Sequence, residues 1–259
     1  MPGSGAGCLH SAPVFAKSTM SDPAASPLRL DRRVADLLRC SRAEAQQYIE
    51  GGWVRVDGIV VEEPQTPITT QQVTVDEDAR PEQSEPATML LHKPAGMTAQ
   101  AAAAWVTPEH HAEGDISGVR MLQRHFHRLT PLMPLDDEAS GLIVLSQDGR
   151  VWRRLTEDYA QIEQEFVVEI DGELRPYGMA RLTQGLRYQG RELPPCKVSW
   201  QNEVRLRFAI KNVQPGQLRF MCREVGFEVI SIRRLRIGKI SLSKMPVGEW
   251  RYLPVGERF

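Results

Sequence analysis

Four consecutive apolar residues, Leu142-Ile143-Val144-Leu145, follow a short turn-forming stretch and end at the polar Ser146-Gln147-Asp148-Gly149. A strand that is apolar at every position has no face to offer to water, so it belongs inside a sheet covered on both sides. A chain of 259 residues is long enough to supply that cover. Other strands are expected at Met89–His92, Phe166–Ile170, Val204–Ile210, Glu228–Ile232 and Ile237–Leu242. Helices are expected from Gly149 to about Tyr159 and around Gln217–Val225, and no internal repeat is visible. This mixture predicts an α+β fold, with a mixed, largely antiparallel sheet spanning 88–259.

A smaller unit precedes it, over 28–76. Residues 28–39 place Leu30, Val34, Leu37 and Leu38 at helical spacing, with arginines on the other face. Ser41-Arg42-Ala43-Glu44 reads as a capping box opening a second helix, which Gly51-Gly52 stops. Trp53–Val61 then forms two strands about an Asp57-Gly58 turn. Two helices and a hairpin make a domain with little core of its own. Residues 77–87, rich in Pro, Glu and Asp, form a linker. Residues 1–27, rich in Gly, Ala, Ser and Pro, form a disordered tail without the pattern of a secretory signal.

Charge and cysteine usage narrow the function. No apolar run approaches a membrane span. Cys8, Cys40, Cys196 and Cys222 lie far apart, which fits free thiols in a reducing, cytoplasmic setting. The net charge is -1, yet ten Lys or Arg lie between Val204 and Met245, opposed only by Glu224 and Glu228. A polyanion such as RNA requires a local excess of this kind. The stretch Leu135-Asp136-Asp137-Glu138-Ala139-Ser140-Gly141 puts carboxylates on a loop directly before the buried strand, where catalytic groups tend to sit. Asp and Ser are equally common as plain turn residues. The histidines His110, His111, His125 and His127 have no third ligand at characteristic spacing, so no metal is expected.

Residues 135–149 resemble the catalytic-aspartate motif of the S4-containing ribosomal RNA pseudouridine synthases of the RsuA/RluF type, Gly-Arg-Leu-Asp-x-x-(Ser/Thr)-x-Gly-Leu followed by an aliphatic run. Leu91-His92-Lys93-Pro94-Ala95-Gly96 resembles the family's Lys-Pro motif, and Glu163-Gln164-Glu165-Phe166-Val167-Val168 its Lys-x-Tyr strand. Gln217-Leu218-Arg219-Phe220-Met221-Cys222, extended by Gly226–Ile230 and Arg233–Gly238, resembles its Gln-(Ile/Val)-Arg-Arg-Met-Cys segment. Residues 28–63 resemble the S4 domain that this branch carries in front.

The resemblance implies an enzyme that isomerises a uridine in ribosomal RNA, large-subunit RNA by preference and transfer RNA as a lesser possibility. It implies a monomer that needs no metal or organic cofactor and no membrane. Asp136 would be the nucleophile, Arg219 its ionic partner, and Phe166 the aromatic wall against the target base. Lys93, Gln217, Arg233, Arg234 and Arg236 would bind RNA, with Arg32, Arg33, Arg42 and Arg55 of the S4-like domain gripping phosphates. Four departures stand out: Phe166 replaces a Tyr, Pro134 an Arg, Gln164 a Lys, and Pro215-Gly216 an Asn-Arg pair. They leave open a second reading, a catalytically silent RNA-binding or ribosome-assembly protein whose RNA binding is indifferent to Asp136→Asn.

Overall fold

In the computed structural model, which describes residues 27–83, 85–184 and 186–259, the apolar run lies well inside a nine-stranded sheet. The expected tail, with Cys8, lies outside the described residues apart from residue 27. The first unit runs β1 (Leu28–Arg29), α1 (Leu30–Leu38), α2 (Arg42–Glu50), β2 (Val54–Val56), β3 (Ile59–Val60), β4 (Pro67–Ile68) and β5 (Val73–Val75). Its small core is Leu30, Val34, Ala45, Ile49, Val54 and Ile68. Ser41 and Glu44 form the expected reciprocal cap, the Ser41 N–H donating to the Glu44 carboxylate at 2.8 Å and the Glu44 N–H to the Ser41 hydroxyl at 3.2 Å. Leu37 and Leu38 are exposed, because the last turn of α1 runs past this core before Arg39 ends the helix in a left-handed conformation.

The second unit begins with β6 (Thr88–Lys93), α3 (Ala99–Trp105), β7 (Thr130–Leu132), β8 (Ser140–Ser146) and α4 (Gly149–Thr156). It continues with β9 (Glu163–Gly172), α5 (Gly178–Thr183), β10 (Arg187–Tyr188), β11 (Arg191–Glu192), β12 (Lys197–Asn202) and β13 (Arg205–Lys211). It closes with α6 (Gln217–Glu224), β14 (Phe227–Ile237), β15 (Ile240–Ser241) and β16 (Trp250–Tyr252). The main strand order is β12-β13-β9-β14-β8-β6-β16, antiparallel except for the parallel pair β14–β8, with β7 on β8 and β15 on β14. In β8, Ile143 and Leu145 face one apolar cluster while Leu142 and Val144 face the other. Covering both faces is what an all-apolar strand requires.

The strand expected at Glu228–Ile232 runs on to Ile237 as β14, and the one expected at Ile237–Leu242 is the short β15, paired back on β14. Register shifts near Ile230 and Leu235 break the two-residue alternation and hide its continuity.

The stretch 98–128, which shows no periodicity, holds α3 and short turns, and joins the two units. Arg120 donates to Asp76 at 2.6 Å, and its guanidinium lies 4.1 Å from the centre of the Trp53 ring. Glu62 accepts the N–H groups of Gln123 and Arg124 at 2.7 and 3.3 Å. Among the described residues no helix is long and apolar enough to cross a membrane.

Candidate active site

Two strands share one edge of β8 without filling it. β14 pairs only with Ser140 and Gly141, and β7 takes up the pairing again at Val144. The loop joining β7 to β8 carries Asp136 over this gap, and a cavity of about 360 Å³ opens beside it. Asp136, Phe166, Gln164, Tyr159, Pro215 and Arg234 are among its walls.

Arg234 closes the floor. Its guanidinium is fully buried and donates to the Leu142 carbonyl at 2.7 Å, the Met133 carbonyl at 2.7 Å and the Gln164 side-chain oxygen at 3.0 Å. It thereby serves Leu142 where neither β14 nor β7 reaches. Burial works against its charge and the nearby Asp136 carboxylate works for it, with a net downward pull on its pKa. Gln164, which replaces a Lys of the family motif, accepts a hydrogen bond from this cation, where a second ammonium would repel it. Gly141 is also dictated locally: its φ is +117°, and a Cβ there would lie 2.3 Å from the Arg234 carbonyl oxygen.

The Asp136 carboxylate is half-buried and accepts from the Gly216 N–H at 3.0 Å, at the start of α6. Gly216 has φ +73°, a conformation open to glycine and costly for the Arg that the family pattern carries there. The expected pair between Asp136 and Arg219 is absent. Arg219 instead donates to Glu138 at 2.8 Å and to the Val229 carbonyl at 3.1 Å. The cation buried beside Asp136 in the cavity wall is Arg234, which the resemblance assigns to RNA binding. The alternation Ile232, Arg233, Arg234 does carry a signal for this, since it puts Arg234 on the inward side with Ile232.

Phe166 is buried and lines the cavity with Asp136. Several residues expected on RNA are placed elsewhere. Lys93 is fully buried, and its ammonium donates to the carbonyls of Pro94, Met97 and Asp137 at 3.0, 2.7 and 2.9 Å. It ties the Asp136 loop to β6 and has no room for a phosphate. Burial pulls its pKa down while the Asp137 and Asp136 carboxylates raise it. Gln217 is likewise buried, accepting from the Gln214 N–H at 2.9 Å. Arg236 pairs with Glu163 and Glu165 at 2.7 and 3.1 Å. Arg205 pairs with Glu169 at 3.4 Å, and Arg207 pairs with Glu165. The basic excess counted along the sequence is thus partly neutralised across the sheet by acids of β9.

In the first unit Arg42 holds the buried Asp31 at 3.0 Å, together with Arg29 and Gln46. Arg55 leans on Asp76 at 3.5 Å. Arg32, Arg33 and Arg233 are exposed and make no ion pair among the described residues. Of the histidines, His125 is buried with Nδ1 3.0 Å from the Tyr252 hydroxyl, and His111 pairs with Asp115 at 2.8 Å. Among the described residues no three His, Cys, Asp or Glu side chains gather as a metal site.

The chain is similar to known proteins over both units. Residues 28–73 match the S4 domain family. The chain is 28% identical over 231 residues to the dual-specificity RNA pseudouridine synthase RluF of Escherichia coli (strain K12), covering 88% of this chain and 76% of that protein. It is 26% identical over 237 residues to the ribosomal large subunit pseudouridine synthase B of Bacillus subtilis (strain 168), covering 87% and 91%. It is 25% identical over 231 residues to the ribosomal small subunit pseudouridine synthase A of Salmonella typhimurium, covering 87% and 96%. A crystal structure of a pseudouridylate synthase superposes with a TM-score of 0.55 at 20% identity, over 87% of this chain and 96% of the other, and shares its fold.

Proposed function

We propose that this S4-domain pseudouridine synthase isomerises a uridine of ribosomal RNA, preferentially large-subunit RNA, with Asp136 as nucleophile. The observation that carries the reading is the placement of one half-buried carboxylate on the wall of a cavity with an aromatic ring, Phe166, and a buried cation, Arg234, in the same wall. The reaction breaks the bond from the sugar C1′ to the base N1, turns the base, and forms the C1′–C5 bond as the C5 proton leaves. A carboxylate can hold one fragment covalently while the base turns. The buried guanidinium of Arg234 stands in the same wall as a preorganised positive charge. Phe166 offers the flipped base a flat apolar surface, and a base in a loop or single strand reaches such a cavity at the smallest unstacking cost. Arg219, held by Glu138 and the Val229 carbonyl, has no part in this arrangement. Of the cations expected to bind RNA, Arg32, Arg33 and Arg233 are exposed without an ion pair and suited to phosphate.

The test is tritium release from C5-labelled uridine in unmodified ribosomal RNA, with wild type and Asp136→Asn compared. Release by the wild type alone is expected. Tight, salt-sensitive binding without release from large-subunit, small-subunit or transfer RNA would replace this reading with that of a catalytically silent RNA-binding protein.

A further inference from the structure

A single peptide unit links the cavity to the hairpin of β10 and β11. Its N–H, from Gly216, donates to Asp136 Oδ2 at 3.0 Å. Its carbonyl, from Pro215, accepts from the Tyr188 hydroxyl at 2.8 Å. We propose that Tyr188 is a positioning residue for the reaction, setting the orientation of the peptide that holds the nucleophilic carboxylate; this rests on the assignment of Asp136 as nucleophile.

Among the described residues the Gly216 N–H is the one hydrogen-bond donor to the Asp136 carboxylate, so the direction of that N–H decides where the carboxylate points. The peptide plane is rigid, and fixing its carbonyl fixes its N–H. The residues on either side leave a rotation of the plane to be controlled. Proline pins φ before it, but Gly216 at φ +73° restrains little after it. The turn is closed by the Gln217 N–H on the Gln214 carbonyl at 3.1 Å, a bond that both orientations of the central peptide can keep, and Tyr188 adds the restraint on that peptide from outside the turn. The Tyr188 ring is half-buried and packs on Phe220 of α6 with centroids 4.9 Å apart, so the hydroxyl is itself held in place. A Cβ on residue 216 would stand 3.0 Å from that hydroxyl, so the Tyr188 contact and the glycine belong to one arrangement. A hydrogen bond to the carbonyl also polarises the amide and strengthens its N–H as a donor. Tyr188 never touches the substrate in this arrangement; its effect passes through one peptide.

The experiment is single-turnover tritium release from saturating C5-labelled ribosomal RNA by the full chain, alongside filter binding of the same RNA. Tyr188→Phe keeps the ring on Phe220 and removes only the hydroxyl. Loss of one such hydrogen bond is expected to slow release about five- to tenfold, with the Kd for RNA unchanged within about twofold. Tyr188→Leu, which gives up ring and hydroxyl together, is expected to be at least as slow. A merely structural role would instead lower the melting temperature and weaken RNA binding in step with the rate. Release by wild type and Tyr188→Phe at equal rates, or a rate loss matched by an equal loss of affinity, would overturn the role of Tyr188 alone. No release by the wild type would overturn the underlying assignment of Asp136 and this one with it.

Discussion

Gly141 lacks a side chain because the backbone of Arg234 occupies the space where one would stand. Adding a methyl group forces apart the only two positions at which β8 and β14 pair, and strains a backbone already at φ +117°. Gly141→Ala is therefore expected to cost at least about 3 kcal/mol of stability, measured by urea unfolding, or to abolish soluble expression. A variant as stable as the wild type would mean that the strands separate at no cost. The sequence shows why some residues of the site can be found by reading and others cannot. Asp136 stands in an ordered set of motifs before an apolar strand, so its place is legible. Arg219 and Lys93 stand in equally clear motifs, yet their partners are fixed by folding: Glu138 lies nearer to Arg219 than Asp136 does, and three carbonyls surround Lys93. A motif names residue types; it leaves open which side chains face each other.

Strand β9 carries Glu163, Glu165 and Glu169, and these acids meet the arginines of β13 and β14 across the sheet. Counting charge along one segment misses this, since the acids come about forty to seventy residues earlier. The consequence can be measured in salt titrations of RNA binding. Arg32→Gln and Arg33→Gln are each expected to lower the slope of log K against log salt by about 0.7 to 0.9, as loss of one phosphate contact requires. Arg205→Gln and Arg207→Gln are expected to leave the slope unchanged, because their charges are already balanced. Equal effects from both sets would show that RNA displaces the β9 acids. The same strands mark the limit of reading elements from pattern. β8 is legible from its unbroken apolar run, whereas β14 reads as ending at Ile232, short of Ile237, because each register shift moves the next side chain to the other face.

At the scale of the whole molecule, folding holds two histidines neutral. Burial pulls the His125 imidazole down to about 4, and Arg124 beside it adds to the effect. His92 is lowered too, first by burial and then by Arg233, against a hydrogen bond from its ring to the Met245 carbonyl. The unfolded chain takes up these protons near pH 6.5, before the folded chain does. Stability from this source is complete above that pH and declines as the pH falls toward 4. The expected loss at His125 is on the order of 2 to 3 kcal/mol, checked by urea unfolding at pH 7 and pH 4.5. His125→Asn should shrink the difference; an undiminished difference would place the proton uptake elsewhere.

The junction built on Arg120, Asp76, Trp53 and Glu62 turns the two units into a caliper. One jaw is the exposed face of α1 with Arg32 and Arg33; the other is the cavity beside Asp136. With the hinge fastened by an ion pair, a stacked guanidinium and two capped N–H groups, both jaws are carried on one frame. A change that loosens this fastening frees one jaw from the other while leaving both the arginines and the carboxylate untouched.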